Sequence, residues 1–139
     1  MKAIVHLLPL VLLAGACAAA GCSMDPAVNV KYKWTLKPGE MKWYTEETEP
    51  QGKRKVNVSM EPFPKDANVA VAIIFKEDLE EAKNAMKKGD EPPKSLRSHG
   101  GGGPVKFEPV ILAPGKGFAV IVRNGVDEGA EVQLKIEAK

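Results

Sequence analysis

Apolar and polar residues alternate strictly from Val28 to Leu36. Val28, Val30, Tyr32, Trp34 and Leu36 point one way, and Asn29, Lys31, Lys33 and Thr35 the other. That two-residue period predicts a strand with one buried face. Lys37-Pro38-Gly39-Glu40 reads as a turn, because Pro sets φ and Gly accepts a positive φ. Met41 to Glu46 is the next strand, with Met41, Trp43 and Thr45 on one face and Tyr44 on the other. These two strands either form a hairpin that sets Trp34 opposite Trp43, or belong to different sheets. The same period returns at Lys53–Met60, with Val56, Val58 and Met60 inward, and at Ala130–Ala138, with Val132, Leu134 and Ile136 inward. Val69–Phe75 and Phe118–Arg123 are instead nearly continuous apolar runs, as expected of central strands covered on both faces. Val105–Leu112 has strand character, and Pro109 within it suits a bulge or an edge.

One stretch has a helical period. Leu79, Ala82 and Met86 form a narrow apolar stripe, with Asp78 and Glu81 spaced as a capping box and Gly89 placed to end the helix. The helix is expected at an edge or end of the sheets. Pro62 and Pro64, Ala113–Gly117 and Asn124–Gly129 mark turns. Residues 90–104, with Pro92-Pro93 and four consecutive glycines from Gly100, are expected to be a flexible loop. The count is about seven strands with turn signals roughly every ten residues, which predicts an all-β chain, a single β-sandwich with one short inserted helix.

Length and charge narrow the functional classes. The 139 residues suit one domain, carry 20 basic and 18 acidic side chains, and include 13 glycines and 11 prolines. Near-balanced charge gives no electrostatic footprint for nucleic acid. Lys53-Arg54-Lys55 is a small basic cluster without interleaved aromatics, so no nucleic-acid partner is expected. The two cysteines, Cys17 and Cys22, both lie near the start. The rest of the chain therefore has no disulfide framework, thiolate metal site or cysteine nucleophile.

That start has the layout of an export signal, a cleavable helix: Lys2, an apolar stretch from Ile4 to Leu13, then small residues to Gly21. Its strongly apolar part, roughly ten residues, is short against the about 20 that a membrane span needs. Ala19-Ala20-Gly21-Cys22-Ser23 resembles the lipobox of a bacterial lipoprotein. The resemblance implies a signal peptide at 1–21, lipid on the Cys22 sulfur, a tether at 22–27 and a domain at 28–139. The alternatives are cleavage before Cys17, and ordinary signal cleavage or an uncleaved leader, either of which leaves an unlipidated thiol. Ser23, by the same resemblance, permits sorting to an outer membrane. Lipidation supplies about 0.8 kcal/mol per buried CH₂, so two or three chains hold the protein at the membrane without an amphipathic helix.

A second resemblance concerns the domain. Trp43-Tyr44, Gly52 leading into Val56–Met60, and Ala113-Pro114-Gly115 leading into Phe118–Arg123 resemble bacterial pre-peptidase C-terminal and GOLD-type modules. The resemblance implies a jelly-roll-like sandwich and a non-catalytic accessory or interaction role.

Candidate chemistry is sparse. His99 is the only histidine after the leader, beside glycines; Asp90 and Glu91 could add only weak oxygen ligands, so it reads as a solvated loop residue and not a metal site. Ser59, Ser95 and Ser98 have no GxSxG elbow, and the glycine run lacks the GxxxxGK[ST] pattern that cradles phosphate. Glu46-Glu47 and Glu80-Glu81 are adjacent pairs that diverge on regular structure. Asp127 and Glu128 lack a calcium-loop pattern, and Met41, Met60 and Met86 suit core filling. Tyr32, Trp34 and Trp43 share faces with Val, Leu and Met and are assigned to the core. Tyr44 faces the other way and is the candidate exposed ligand contact. No cofactor and no catalytic residue are implied. The expected role is binding, scaffolding or envelope structure, with a membrane contact through Cys22 and a protein partner. The alternative is a carbohydrate- or peptide-binding subunit of an exported enzyme or transport system.

Overall fold

The computed structural model describes residues 25–47 and 49–139. Nine strands form: β1 (Val28–Leu36), β2 (Met41–Thr45), β3 (Arg54–Phe63), β4 (Val69–Phe75), β5 (Arg97–His99), β6 (Val105–Lys106), β7 (Val110–Leu112), β8 (Phe118–Asn124) and β9 (Ala130–Ala138). A 3₁₀ turn at Lys76–Asp78 leads into α1 (Leu79–Lys87). Two of these strands were not expected. The segment around Pro109, which has no N–H for a ladder, splits the 105–112 stretch into β6 and β7. The 90–104 segment contributes β5, which pairs with β4.

The pairings nest. β1 pairs with β9, β2 with β8, β3 with both β6 and β7, and β4 with β5, all antiparallel. That is one long hairpin folded at the β4–β5 connection. Rolling it up adds the β3–β9 and β4–β8 pairs. Two sheets result, β1-β9-β3-β6 with β7 also on β3, and β2-β8-β4-β5. This is a jelly-roll sandwich. β1 and β2 fall in different sheets, so Trp34 lies opposite Val132 and Trp43 opposite Ile121.

The core between the sheets takes Leu36, Val56, Val58, Met60, Val69, Val71, Ile73, Phe118, Val120, Val122, Val132, Leu134 and Ile136. A second apolar layer explains why β4 and β8 are apolar on both faces. Their outward residues Ala72, Ile74, Ala119 and Ile121 are covered by Ala82 and Met86 of α1. The helix thus lies flat on the outer face of the second sheet, not at an edge or end. Each fully buried Val, Ile, Leu or Phe contributes about 1.5–3 kcal/mol, against about 0–1 for a surface ion pair such as Lys33–Glu131. The two apolar layers therefore dominate.

The ends of α1 differ from each other. Asp78 occupies the N-cap but makes no side-chain cap bond: at φ −95° and ψ 6° its backbone continues the 3₁₀ turn and lacks the extended geometry that aims a cap side chain at the N2 and N3 amides. Asp78 and Glu81 instead face Lys94 Nζ, at 4.0 and 3.4 Å. At the C-terminus the expected stop forms. Gly89, at φ +82°, donates to Met86 O at 3.0 Å, and Asp90 N donates to Ala85 O at 3.0 Å. Those two bonds make a Schellman motif.

Candidate functional site

The parity of β8 builds the site. Ala119, Ile121 and Arg123 share the outward face of the second sheet, and α1 covers the first two. The helix ends at Lys87, so Arg123, flanked by Met41 and Ala70, lies just beyond its cover. The chain then runs through Asp90–Pro92 and returns as β5 on the sheet edge, which walls off a cleft. Its volume is about 420 Å³, and Asn68, Glu91, Ser98, His99 and Arg123 supply its polar lining.

Most of these groups are already engaged. Ser98 Oγ donates a short hydrogen bond to Glu91 Oε1. His99 Nε2 bonds to the Gly102 carbonyl at 2.8 Å. A carbonyl only accepts, so Nε2 donates its N–H. The serine hydroxyl is thus committed to a carboxylate and not to the imidazole. The side chains of Asn68 and Arg123 are not engaged, and Arg123 Nε is buried without a hydrogen-bond partner among the described residues. A guanidinium presents a planar fork matched to a carboxylate. Asp90 and Glu91 also line the cleft, which makes it bipolar. Chemically, the arrangement suits holding a polar ligand.

The end of the sandwich next to the cleft is locked by its own polar groups. Asn124 is buried, and its Nδ2 donates to Leu36 O, Lys37 O and Glu128 O at 3.3, 3.2 and 2.6 Å. Gly125 N donates to Asn68 O at 2.8 Å, and a Cβ on Gly125 would meet that oxygen at 3.1 Å. The turns β1–β2, β3–β4 and β8–β9 are joined there, which fixes Asn68 at the cleft rim.

The residues singled out from sequence are distributed as follows. Cys22 lies outside the described residues, as do Cys17 and the leader. Tyr44 faces the core: its ring is 6.1 Å from Tyr32 and 5.8 Å from Phe118. Burial, and then the nearby Glu46 carboxylate, push its phenol above the usual range. Trp43 turns outward instead, 42 % exposed, with Lys83 Nζ 4.0 Å above its ring. The faces expected for β2 are therefore exchanged, and Tyr44 is not the exposed aromatic. Tyr32 and Trp34 do pack against the core, stacked at 5.2 Å.

His99 is part of a strand and lines the cleft; it is not a loop residue. Arg54 leaves the expected basic cluster: it is buried and paired with buried Glu46. Glu47 stays exposed, while Glu80 pairs with Lys83 at 2.8 Å. Met60 and Met86 are buried, and Met41 packs beneath the helix. Among the described residues no three of His, Cys, Asp and Glu gather as a metal site. No helix among them is long and apolar enough to cross a membrane. Arg123 and Asn68 were not anticipated, and Glu91 was expected only as a weak oxygen neighbour of His99. Arg123 carries one signal, a charged residue at the covered-face parity of an otherwise apolar strand. Asn68 carries none.

Fold and cleft together define a jelly-roll β-sandwich module with a polar pocket at one end. No family model matches the chain, and no curated protein matches its sequence. Solved structures do. The pre-peptidase C-terminal domain of a collagenase from Bacillus anthracis superposes with TM-score 0.55 at 13% identity, covering 78% of this chain and 89% of that one. A mitogen from Yersinia pseudotuberculosis gives 0.54 at 9% identity, over 81% and 86%. A periplasmic inhibitor of g-type lysozyme from Aeromonas hydrophila gives 0.50 at 12% identity, over 81% and 88%. These likenesses show the fold. The expected pre-peptidase C-terminal type of sandwich holds at that level.

Proposed function

We propose that this chain is an exported, lipid-anchored, non-catalytic binding module, whose cleft beside Arg123 holds a carboxylate-bearing peptide segment. The observation that carries the reading is the unpartnered Arg123 Nε at the cleft. Arg123 is half-buried, its Nε–H is unpaired, and no ion pair with a described residue neutralises its guanidinium, which leaves the charge open to a carboxylate. Ser98 bonded to Glu91, not to His99, supports a holding role over a hydrolytic one. The anchor rests on the Ala19–Ser23 pattern, with Cys22 as the lipidated residue and Ser23 favouring an outer membrane where a cell has two.

A peptide array including free C-termini and acidic side chains tests the cleft. The wild type should retain a subset of carboxylate-bearing peptides, and Arg123→Gln should weaken them by roughly 10- to 100-fold, the range of a charge-assisted hydrogen bond. Equal retention by the variant would refute this site. Retention of neutral oligosaccharides instead would favour the carbohydrate reading, for which exposed Trp43 is the available platform, although Lys83 occupies one face of its ring. The anchor has a separate test. A palmitate analogue should label the wild type and not Cys22→Ser, and labelling that survives the substitution removes the assignment.

A further inference from the structure

We propose that Asp25 fixes the domain end-on against the bilayer, with the loops around residues 49–52 and 113–117 facing the lipid headgroups and the Arg123 cleft facing away. The inference rests on the anchor at Cys22 proposed above.

Asp25 is the first described residue, and it is clamped. Its two carboxylate oxygens accept from Gln51 N and Gly52 N, at 2.7 Å each. A Cβ on Gly52 would meet Asp25 Oδ2 at 3.3 Å, so the glycine gives the carboxylate room. The clamp holds the entry of the chain on the β2–β3 loop. Cys22 precedes Asp25 by three residues, and three residues extend at most about 10 Å. A lipid on Cys22 therefore keeps that loop within about 10 Å of the membrane interface.

Backbone bonds define what else lies at this end. Gly115 N donates to Pro50 O at 2.8 Å, and Lys76 N to Gly117 O at 3.0 Å. The 113–117 turn and the start of the 3₁₀ turn thus share the end with the clamp. Lys53, Lys76 and Lys116 are roughly balanced there by Glu47, Glu49 and Glu77. An anionic leaflet neither draws in nor repels such a surface strongly. Orientation then comes from the covalent leash and the clamp.

The cleft is at the other end. β8 starts beside the 113–117 turn and finishes at Asn124, next to the cleft residues Asn68 and Gly125. Seven residues of strand span about 20 Å. The ligand end thus stands off the bilayer by that length plus the leash. The outer face of the first sheet, where Lys31 lies opposite Lys135, stands roughly upright and not flat on the lipid.

The test uses the full lipidated protein in vesicles of phosphatidylethanolamine and phosphatidylglycerol. Single cysteines are placed at Lys116 (membrane end), Lys31 (sheet face) and Val126 (far end), and each is spin-labelled. A nickel chelate on a lipid headgroup relaxes labels that lie near the bilayer. The expected order of relaxation is 116 over 31 over 126, with 126 at background. Asp25→Ala lengthens the leash to the start of β1 and should flatten that gradient in part while leaving the fold, read by circular dichroism, unchanged. Strongest relaxation at 31 or 126, or a gradient undiminished by Asp25→Ala, overturns the orientation. Mass spectrometry of the N-terminal peptide in the same sample separates the two readings. A lipidated Cys22 with a flat profile overturns the orientation alone, and an unlipidated Cys22 overturns the anchor and the orientation together.

Discussion

Arg54 shows how one residue is decided by both parity and packing. It shares a face with Val56, Val58 and Met60, so the alternation of β3 already turns it inward. Glu46 receives it there, both side chains being about 5 % exposed or less, and the guanidinium lies 5.6 Å from the Phe118 ring. Removing one partner of such a pair strands a charge and costs about 3–5 kcal/mol, whereas replacing both is often neutral. Arg54→Met should therefore lower stability by about that amount in urea unfolding, and Arg54→Met with Glu46→Leu should recover most of it. Asp25 gives a pH prediction. Hydrogen bonds from the Gln51 and Gly52 amides, opposed by slight desolvation, hold its carboxyl below the usual value of 3.8. A depressed folded value means that the clamp contributes above the unfolded value and is lost as pH falls through the folded one. Carboxyl resonances should show Asp25 titrating below an unfolded reference peptide. A normal or raised midpoint would contradict the clamp.

At the scale of elements, α1 was legible because stripe, stop and length agree: Leu79, Ala82 and Met86 face the sheet, and Gly89 ends the helix. Gly89→Ala adds a methyl group into open space, so its cost is purely that of the left-handed backbone, about 1 kcal/mol in a thermal melt. Met86→Ala removes the contact with Ile74 and Ile121 and should cost about 2–5 kcal/mol. The Asp78–Glu81 spacing does not make a capping box here, because spacing alone does not reveal that a 3₁₀ turn precedes the helix and takes the N-cap backbone out of the extended region. β2 was misread for a related reason. Alternation sorts its residues into two sets, but both sets carry apolar side chains. Met41 packs, half-buried, against the layer under the helix and not in the sandwich, so Trp43 shares the outer face and Tyr44 the inner one.

For the whole molecule, the rolled hairpin makes nearly every pairing non-local; Val28 lies opposite Ala138. Loop closure on that scale must precede the contacts that reward it, so folding should take milliseconds to seconds, as in other sandwiches. Stopped-flow fluorescence of Trp34 and Trp43 measures it, and microsecond folding would contradict the topology. β9 fills the slot between β1 and β3. Deleting residues 130–139 should consequently unfold the whole domain, not fray one edge, with loss of near-ultraviolet dichroism as the readout.

The chain's local patterns determined where the long strands, most turns and the helix occur, and that β4 and β8 are covered on both faces. Those features arise from neighbours a few residues apart, where backbone geometry and burial period act directly. Strand partners, the outward face of β2 and the cleft were decided only in three dimensions. Asn68, Glu91 and Arg123 meet because the rolled hairpin lays β4 beside β8 and the helix stops one turn short of covering them. Pairing depends on which faces are buried by elements far along the chain, and no local period encodes that.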